Sequence, residues 1–275
     1  MGLLCRAKGH LLLAGALFTL DKHNHDRMRG PVGSAPYRLI FQPDPVVRAA
    51  AFAHEASVFG SVYSVPYDFH VAEFAPYEAQ SAFLVVVDQD ERVRATMRIV
   101  TPGPAGIKTI VEAARSPWFL EAERAARAVG LDLANTWDIA TLAVGSGLGR
   151  DRLVVTASLY HGLTIAARRN RVTSLLMTVD ERVRGILETY FGLYTTALPG
   201  AVPMPFEGSP ASTPVYGHCA EMLAAQRKLN PEAYRLLTLG LGLEGVEIPI
   251  EEQFDLLERA FAMPEPATTE LSRAS

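Results

Sequence analysis

Thr136-Trp-Asp-Ile-Ala-Thr-Leu-Ala-Val144 runs into Gly145-Ser-Gly147-Leu-Gly149-Arg150, and apolar residues then recur at helical spacing over residues 153–170. The first segment reads as a strand, the glycines as a turn and the third run as a helix. Residues 172–179 read as the next strand, and residues 180–191 as a second helix closed by Gly192. A strand that passes through glycines into a helix makes an anion site. The first helical N–H groups lack partners, the helix dipole adds partial positive charge, and glycines let phosphates approach the backbone. Gly145, Gly147 and Gly149, with Arg150 and Arg152 beyond, have that character. The plain alternative is a tight turn. A Rossmann reading fits less well. The spacing is G-x-G-x-G, not the dinucleotide fingerprint, although Asp180 ends the following strand where a ribose-binding acid would sit. The unit also follows a hairpin, and no series of further βα units comes after it.

Upstream, residues 82–87 and 92–100 form a predicted antiparallel hairpin around the polar turn Asp88-Gln-Asp-Glu91. Residues 37–42 read as a first strand, and Asp44 as the cap of a helix from residue 45 to about 59. Arg48, Phe52, Glu55 and Phe59 fall at helical intervals on it. Residues 107–129 look helical, with a break at Pro117 and an end at Gly130. Proline and glycine crowd residues 199–217. Residues 219–239 look helical despite Pro231, and residues 251–262 form a last expected helix.

These elements predict an α+β fold: a flexible N-terminal extension (1–36), a core domain (37–217), a helical C-terminal extension (218–263) and a disordered tail (264–275). Within the first extension, Arg6 and Lys8 precede an apolar run over residues 11–20. This run is about half a membrane span and has no clear cleavage site after it, so it reads as a loosely held extension rather than an anchor.

Of the 275 residues, 49% are hydrophobic and 20% charged, enough for a sizeable buried core. The net charge of −4 gives no global reason to expect nucleic acid as a partner. Cys5 and Cys219 have neither metal nor redox spacing, and two lone thiols suit the cytoplasm. The seven histidines show no metal-ligand spacing, so no metal site is expected.

Over roughly residues 37–217 the chain resembles the GNAT superfamily of acyltransferases. Within it, the chain is most similar to the autoinducer (acyl-homoserine lactone) synthases and the long-chain N-acyl amino acid synthases. Arg48 with Phe52 four residues on matches a motif of that branch's first helix, and Tyr67-Asp68 matches its Tyr-Asp pair. Ala95-Thr-Met-Arg98-Ile-Val-Thr-Pro102 keeps the arginine of a Gly-x-x-Arg-Leu-x-Pro-like run but not its glycine. Trp137-Asp138-Ile-Ala140-Thr141 stands where the branch has Trp-Glu-x-Ser-Arg, with the acid shortened and the serine and arginine lost. Leu142-Ala143-Val144 matches the strand's end. The general pyrophosphate motif is out of register, and Glu188 occupies the usual tyrosine's slot.

The resemblance implies a GNAT fold and transfer of an acyl group, from acyl-CoA or an acyl carrier protein, to a small amino acid-like amine. A thioester is already activated and no G-x-S-x-G signature is present, so direct attack is the simplest mechanism. Asp138 would hold the amine or accept its proton through water. Arg98 would pair with Asp68 or with a substrate carboxylate. Arg48, Phe52 and Trp137 would shape the acceptor pocket. Backbone N–H groups around Val144 and Gly145 would polarise the thioester carbonyl, and the loop from Gly145 through Gly147 and Gly149 to Arg150 would take the phosphates.

Beside these stand structural readings: a paired acid for Asp138, an ion pair for Arg98 and a core position for Phe52. Arg168, Arg169 and Arg171 suggest a docking patch for a carrier protein or the charged end of CoA, or simply cations placed at a helix C-terminus. A short-chain acetyltransferase and a non-catalytic GNAT-like ligand-binding or regulatory module are the alternatives.

Overall fold

The computed structural model describes residues 35–256. The N-terminal apolar run and the tail after Met263 lie outside them, as does the end of the last expected helix. Among the described residues no helix is long and apolar enough to cross a membrane.

The chain forms β1 (Tyr37–Phe41), α1 (Pro45–Tyr63), α2 (Tyr67–Phe74), β2 (Ser81–Asp88), β3 (Val93–Val100), α3 (Lys108–Ala113), α4 (Ala122–Ala128), β4 (Thr136–Val144), α5 (Arg152–Arg169), β5 (Ser174–Asp180), α6 (Glu181–Phe191), β6 (Thr196–Ala197), β7 (Met204–Phe206), β8 (Ser209–His218), α7 (Cys219–Leu229) and β9 (Val246–Glu247). The sheet runs β6-β8-β5-β4-β3-β2-β1-β9, with β7 also on β8. Among the described residues only β4–β5 and β1–β9 pair in parallel, so the Rossmann alternative falls and the α+β expectation stands.

The local signals act as expected. Asp44 Oδ1 accepts the Val46 and Val47 amides at 2.8 and 3.0 Å and starts α1. The Asp180 side chain does the same for α6, and Gly192 ends that helix in the left-handed conformation. The helical stretch over residues 107–129, with its expected break at Pro117, is two short helices, α3 and α4, on either side of that proline. The proline- and glycine-rich stretch holds β7 and most of β8. Pro214 faces Thr178 within the β5–β8 ladder, its carbonyl accepting the Leu198 amide on the opposite edge, and Pro210 lies beyond the ladder's end at Asp180/Ser212.

α5 crosses one face of the sheet. Its Gly162 permits this: a Cβ there would lie 2.8 and 2.9 Å from Leu39 and Leu84. Trp137, Leu159, Leu163, Leu187 and Phe254 build the main core on that face. α1 and α3 cover the other face, where Phe83, Val85 and Val87 pack on Ala51.

The feature that makes room for a site is the divergence of β4 from β5. Their parallel pairing ends at Asp138/Leu176, although β4 continues to Val144 and β5 to Asp180. β8 pairs with β5 along its whole length, while β3 holds β4. The β3–β4 register skips one residue: Arg98 faces Thr141 and Ile99 faces Ile139, leaving Ala140 as a bulge that bends β4 away.

Candidate active site

A cavity of about 1510 Å³ passes through this opening and reaches both faces of the sheet. On the α5 face its wall is largely apolar, with Leu163, Met177, Ile186, Leu187, Met222 and Leu237, although Arg152, Arg168 and Gln226 also line it. On the α1 face it is polar and acidic, with Glu73, Lys108, Glu112, Asp138, Thr178 and Glu207.

Asp138 is 1% exposed. Its Oδ2 accepts the Thr109 amide at 2.5 Å, while Oδ1 is buried with no hydrogen-bond partner. Burial pushes its carboxyl up to about 7. Glu112 reinforces the rise, and the Thr109 amide and Lys108 oppose it. A carboxylate poised near neutrality, on the wall of a cavity and with one oxygen unpartnered, has the properties of a general base.

Beside it, Lys108 Nζ bridges Glu73 and Glu112. Burial works against the ammonium, but the two glutamates outweigh it and raise its pKa. Thr178 donates to Glu112 Oε2 at 2.9 Å. Glu207 comes from the β7–β8 turn, and one oxygen each of Glu73, Glu112 and Glu207 lie within 4.8 Å of one another. Burial pushes Glu207 up to about 8, with Lys108 opposing and Glu73 and Glu112 adding. Gly208 locks this turn. Its φ is +81°, and a Cβ there would lie 2.2 Å from the Tyr63 carbonyl oxygen.

The free edge of β4 supplies backbone donors. Gly145 N–H donates to the Arg94 carbonyl at 2.9 Å, so it is taken up by β3 and turned from the opening. In an antiparallel ladder alternate residues face opposite edges. Ala143 and Thr141 therefore point to β3 with Gly145, while Leu142 and Val144 point toward the edge that β5 has left. Both line the cavity. Of the two amides anticipated for polarising a carbonyl, Val144 keeps that orientation and Gly145 does not. At the same end His54 lines the cavity with an unpartnered Nε2, and burial followed by the Arg94 charge lowers its pKa.

Gly145, Ser146 and Arg152 line the cavity where α5 begins. Gly147 and Gly149 adopt φ of +81° and +53° in the outer turn, with open space where a Cβ would stand, and Arg150 is exposed there. Asp151 precedes α5 without capping it, and its carboxylate accepts the Tyr37 hydroxyl at 2.9 Å.

Of the other residues singled out from the sequence, Arg48, Phe52, Asp68, Arg98 and Trp137 lie away from the cavity wall, whereas Arg168 lines it. Arg98 is fully buried and pairs with Glu55 at 3.1 Å, not with Asp68, which sits exposed in the first turn of α2. Rings of Phe52, Phe74 and Phe83 lie 5.0, 4.2 and 4.6 Å from its guanidinium. Glu55 also bonds His70 at 3.1 Å. Arg48 pairs with Glu78 at 2.8 Å and bonds the Ser81 carbonyl. Trp137 packs in the core. Arg48, Phe52, Arg98 and Trp137 thus hold up the wall from behind. Arg168 and Arg169 pair with Glu251 and Asp255 of the same chain, and Arg184 holds Glu188 at 3.1 Å.

Glu73, Lys108, Glu112, Thr178, Glu207 and His54 were not anticipated. Lys108 and Glu112 do stand at i,i+4 spacing in a stretch read as helical, the one signal available. Among the described residues the cavity wall sets up no activated nucleophile for a covalent route. Cys219 lines the cavity, but burial pushes its thiol up to about 11. Ser174 bonds His218 at 2.9 Å outside the cavity wall, and the other ring nitrogen of His218 is bound to the Val129 carbonyl.

No protein-family model matches the chain, and no curated protein matches it by sequence. Solved structures do. FeeM, an N-acyl amino acid synthase from uncultured soil microbes, superposes with a TM-score of 0.53 at 14% identity, covering 70% of this chain and 96% of that one. BjaI, a CoA-dependent acyl-homoserine lactone synthase, superposes with a TM-score of 0.53 at 12% identity, covering 78% and 94%. With its mixed nine-stranded sheet and flanking helices, this chain has the fold of these two synthases.

Proposed function

We propose that the protein is an N-acyltransferase that moves a long aliphatic acyl group from a thioester, acyl-CoA or acyl carrier protein, onto a small amine. The observation that carries this reading is the cavity through the sheet, with a buried, half-satisfied Asp138 on one face and an apolar limb on the other. An acyl chain gains most from the apolar limb, at about 0.8 kcal/mol per buried CH₂. An amine belongs on the acidic side. The thioester carbonyl then lies in the opening between β4 and β5, where the Leu142 and Val144 backbone groups face it. The phosphate-bearing end of the donor extends to Gly145, Ser146 and Arg152 at the start of α5.

In this reading the amine attacks the carbonyl directly. Asp138 accepts the proton that the arriving ammonium must lose, and β4 amides stabilise the oxyanion. The C–S bond breaks, and the thiolate leaves with a proton. The likeness to FeeM and BjaI, an N-acyl amino acid synthase and a CoA-dependent acyl-homoserine lactone synthase, supports the same assignment through the shared fold.

The experiment is thiol release from dodecanoyl-CoA by the full chain, with a panel of amines. Amine-dependent release with formation of the amide is the expected result. A dodecanoyl thioester that neither binds nor turns over, whether as the CoA ester or as the carrier-protein ester, would defeat the reading.

A further inference from the structure

The acidic side of the cavity carries more negative charge than an ordinary amine site needs. Glu73, Glu112, Glu207 and Asp138 line it together, with Lys108 as the cation in their midst. Lys108 already bridges Glu73 and Glu112 and is itself buried, so it cannot turn to clamp a substrate carboxylate without stranding those two acids. The arginines that line the cavity stand on other elements: Arg94 on β3, Arg152 and Arg168 on α5, and Arg182 on α6. Buried carboxylates without a counter-charge are costly and hold protons or bind a cation instead. Glu207 and Asp138 do hold protons more tightly than usual. An independent observation points to a ligand: Asp138, a residue of this cavity's wall that is itself nine-tenths or more buried, has its Oδ1 without a partner.

Resting on the acyltransferase reading above, we propose that the acceptor is a diamine, or an equivalent amine with a second positive charge and no carboxylate. Its distal ammonium lies among Glu73, Glu112 and Glu207, and its reacting nitrogen lies at Asp138. Two ammonium groups balance the acids that Lys108 leaves uncompensated. An amino acid would instead bring its carboxylate against them. The reacting ammonium gives one proton to Asp138, its nitrogen forms the C–N bond, and the C–S bond breaks. The second N–H proton balances the departing thiolate. The distal ammonium keeps its charge, so the product is the mono-amide.

The test compares diaminobutane, butylamine and leucine as acceptors for dodecanoyl-CoA, in the wild-type chain and in Glu207→Gln and Glu73→Gln. Binding of dodecanoyl-CoA is measured separately, so that failure of the donor reading is seen as such. The expected result is kcat/KM for diaminobutane about tenfold or more above that for butylamine and for leucine. That preference should collapse in whichever glutamine variant keeps the wild-type melting temperature, while binding of dodecanoyl-CoA persists. Leucine matching or exceeding diaminobutane, or a preference that survives both glutamine substitutions, would overturn the proposal while leaving acyl transfer intact. If no amine is acylated, calorimetry with diaminobutane alone decides: binding that is lost in the glutamine variants supports the site, and no binding overturns it.

Discussion

Replacing Asp138 by asparagine should make the folded protein more stable at alkaline pH while removing its activity. The carboxyl ordinarily titrates at 3.8 and is raised to about 7 in the fold. Below about pH 4 both folded and unfolded chains carry the proton, and burial of the group costs little. Between about pH 4 and 7 the folded chain keeps the proton that the unfolded chain releases, so stability falls as pH rises. Above about pH 7 both states are ionised and the full penalty applies. Three pKa units at about 1.4 kcal/mol each give about 4 kcal/mol, an upper figure that local relaxation reduces to about 2–4 kcal/mol. Asparagine keeps an oxygen for the Thr109 amide and has no charge to bury.

Equilibrium urea unfolding of both proteins at pH 4 and pH 9 isolates this single group, because the other titrations cancel in the double difference. The variant's stability relative to wild type should improve by about 2–4 kcal/mol between the two conditions, while amide formation falls by about tenfold or more. A relative stability that is the same at both pH values would refute the assignment of a perturbed, proton-holding Asp138.

Wild-type kcat/KM should rise with pH through about 7, following ionisation of Asp138, and a pH–rate profile checks this. Glu55→Gln leaves the buried Arg98 with the longer 3.4 Å pairing to the half-exposed Glu78 and should cost up to about 3–5 kcal/mol in urea unfolding. Ile186→Trp fills the apolar limb and should raise KM for dodecanoyl-CoA while leaving acetyl-CoA binding unchanged, as competition binding would show. Gly208→Ala forces a Cβ against the Tyr63 carbonyl at positive φ and should lower stability by about 1–3 kcal/mol; it should also disturb Glu207, which a melting curve and acceptor kinetics would detect together.

Much of the fold could be read ahead of the structure because its signals are local. The Asp44 cap, the hairpin around Asp88-Gln-Asp-Glu91 and the Gly192 stop each act within a few residues. The β7–β8 region was hidden by its prolines, which are poor strand formers tolerated here near a turn. Asp138 stood out through the resemblance, at the acid position of the strand that runs into the glycine turn. Arg98 and Asp68 are 30 positions apart in sequence, and only the packing of α1 could reveal that Glu55 takes the arginine. The acidic cluster is drawn from α2, α3 and the β7–β8 turn, and its members are not neighbours in sequence beyond the Lys108–Glu112 step. The opening between β4 and β5 follows from a one-residue bulge at Ala140, which has no compositional mark.

The most direct test of the account is mass spectrometry of the purified chain incubated with dodecanoyl-CoA and a mixture of diamines, monoamines and amino acids. The account predicts free CoA and a dodecanoyl amide in equal amounts, formed by the wild-type chain and reduced about tenfold or more in Asp138→Asn. Equal amide formation by the wild-type and Asp138→Asn chains would contradict the role given to the cavity, and no amide from any amine, with dodecanoyl-CoA or dodecanoyl carrier protein as donor, would contradict acyl transfer itself.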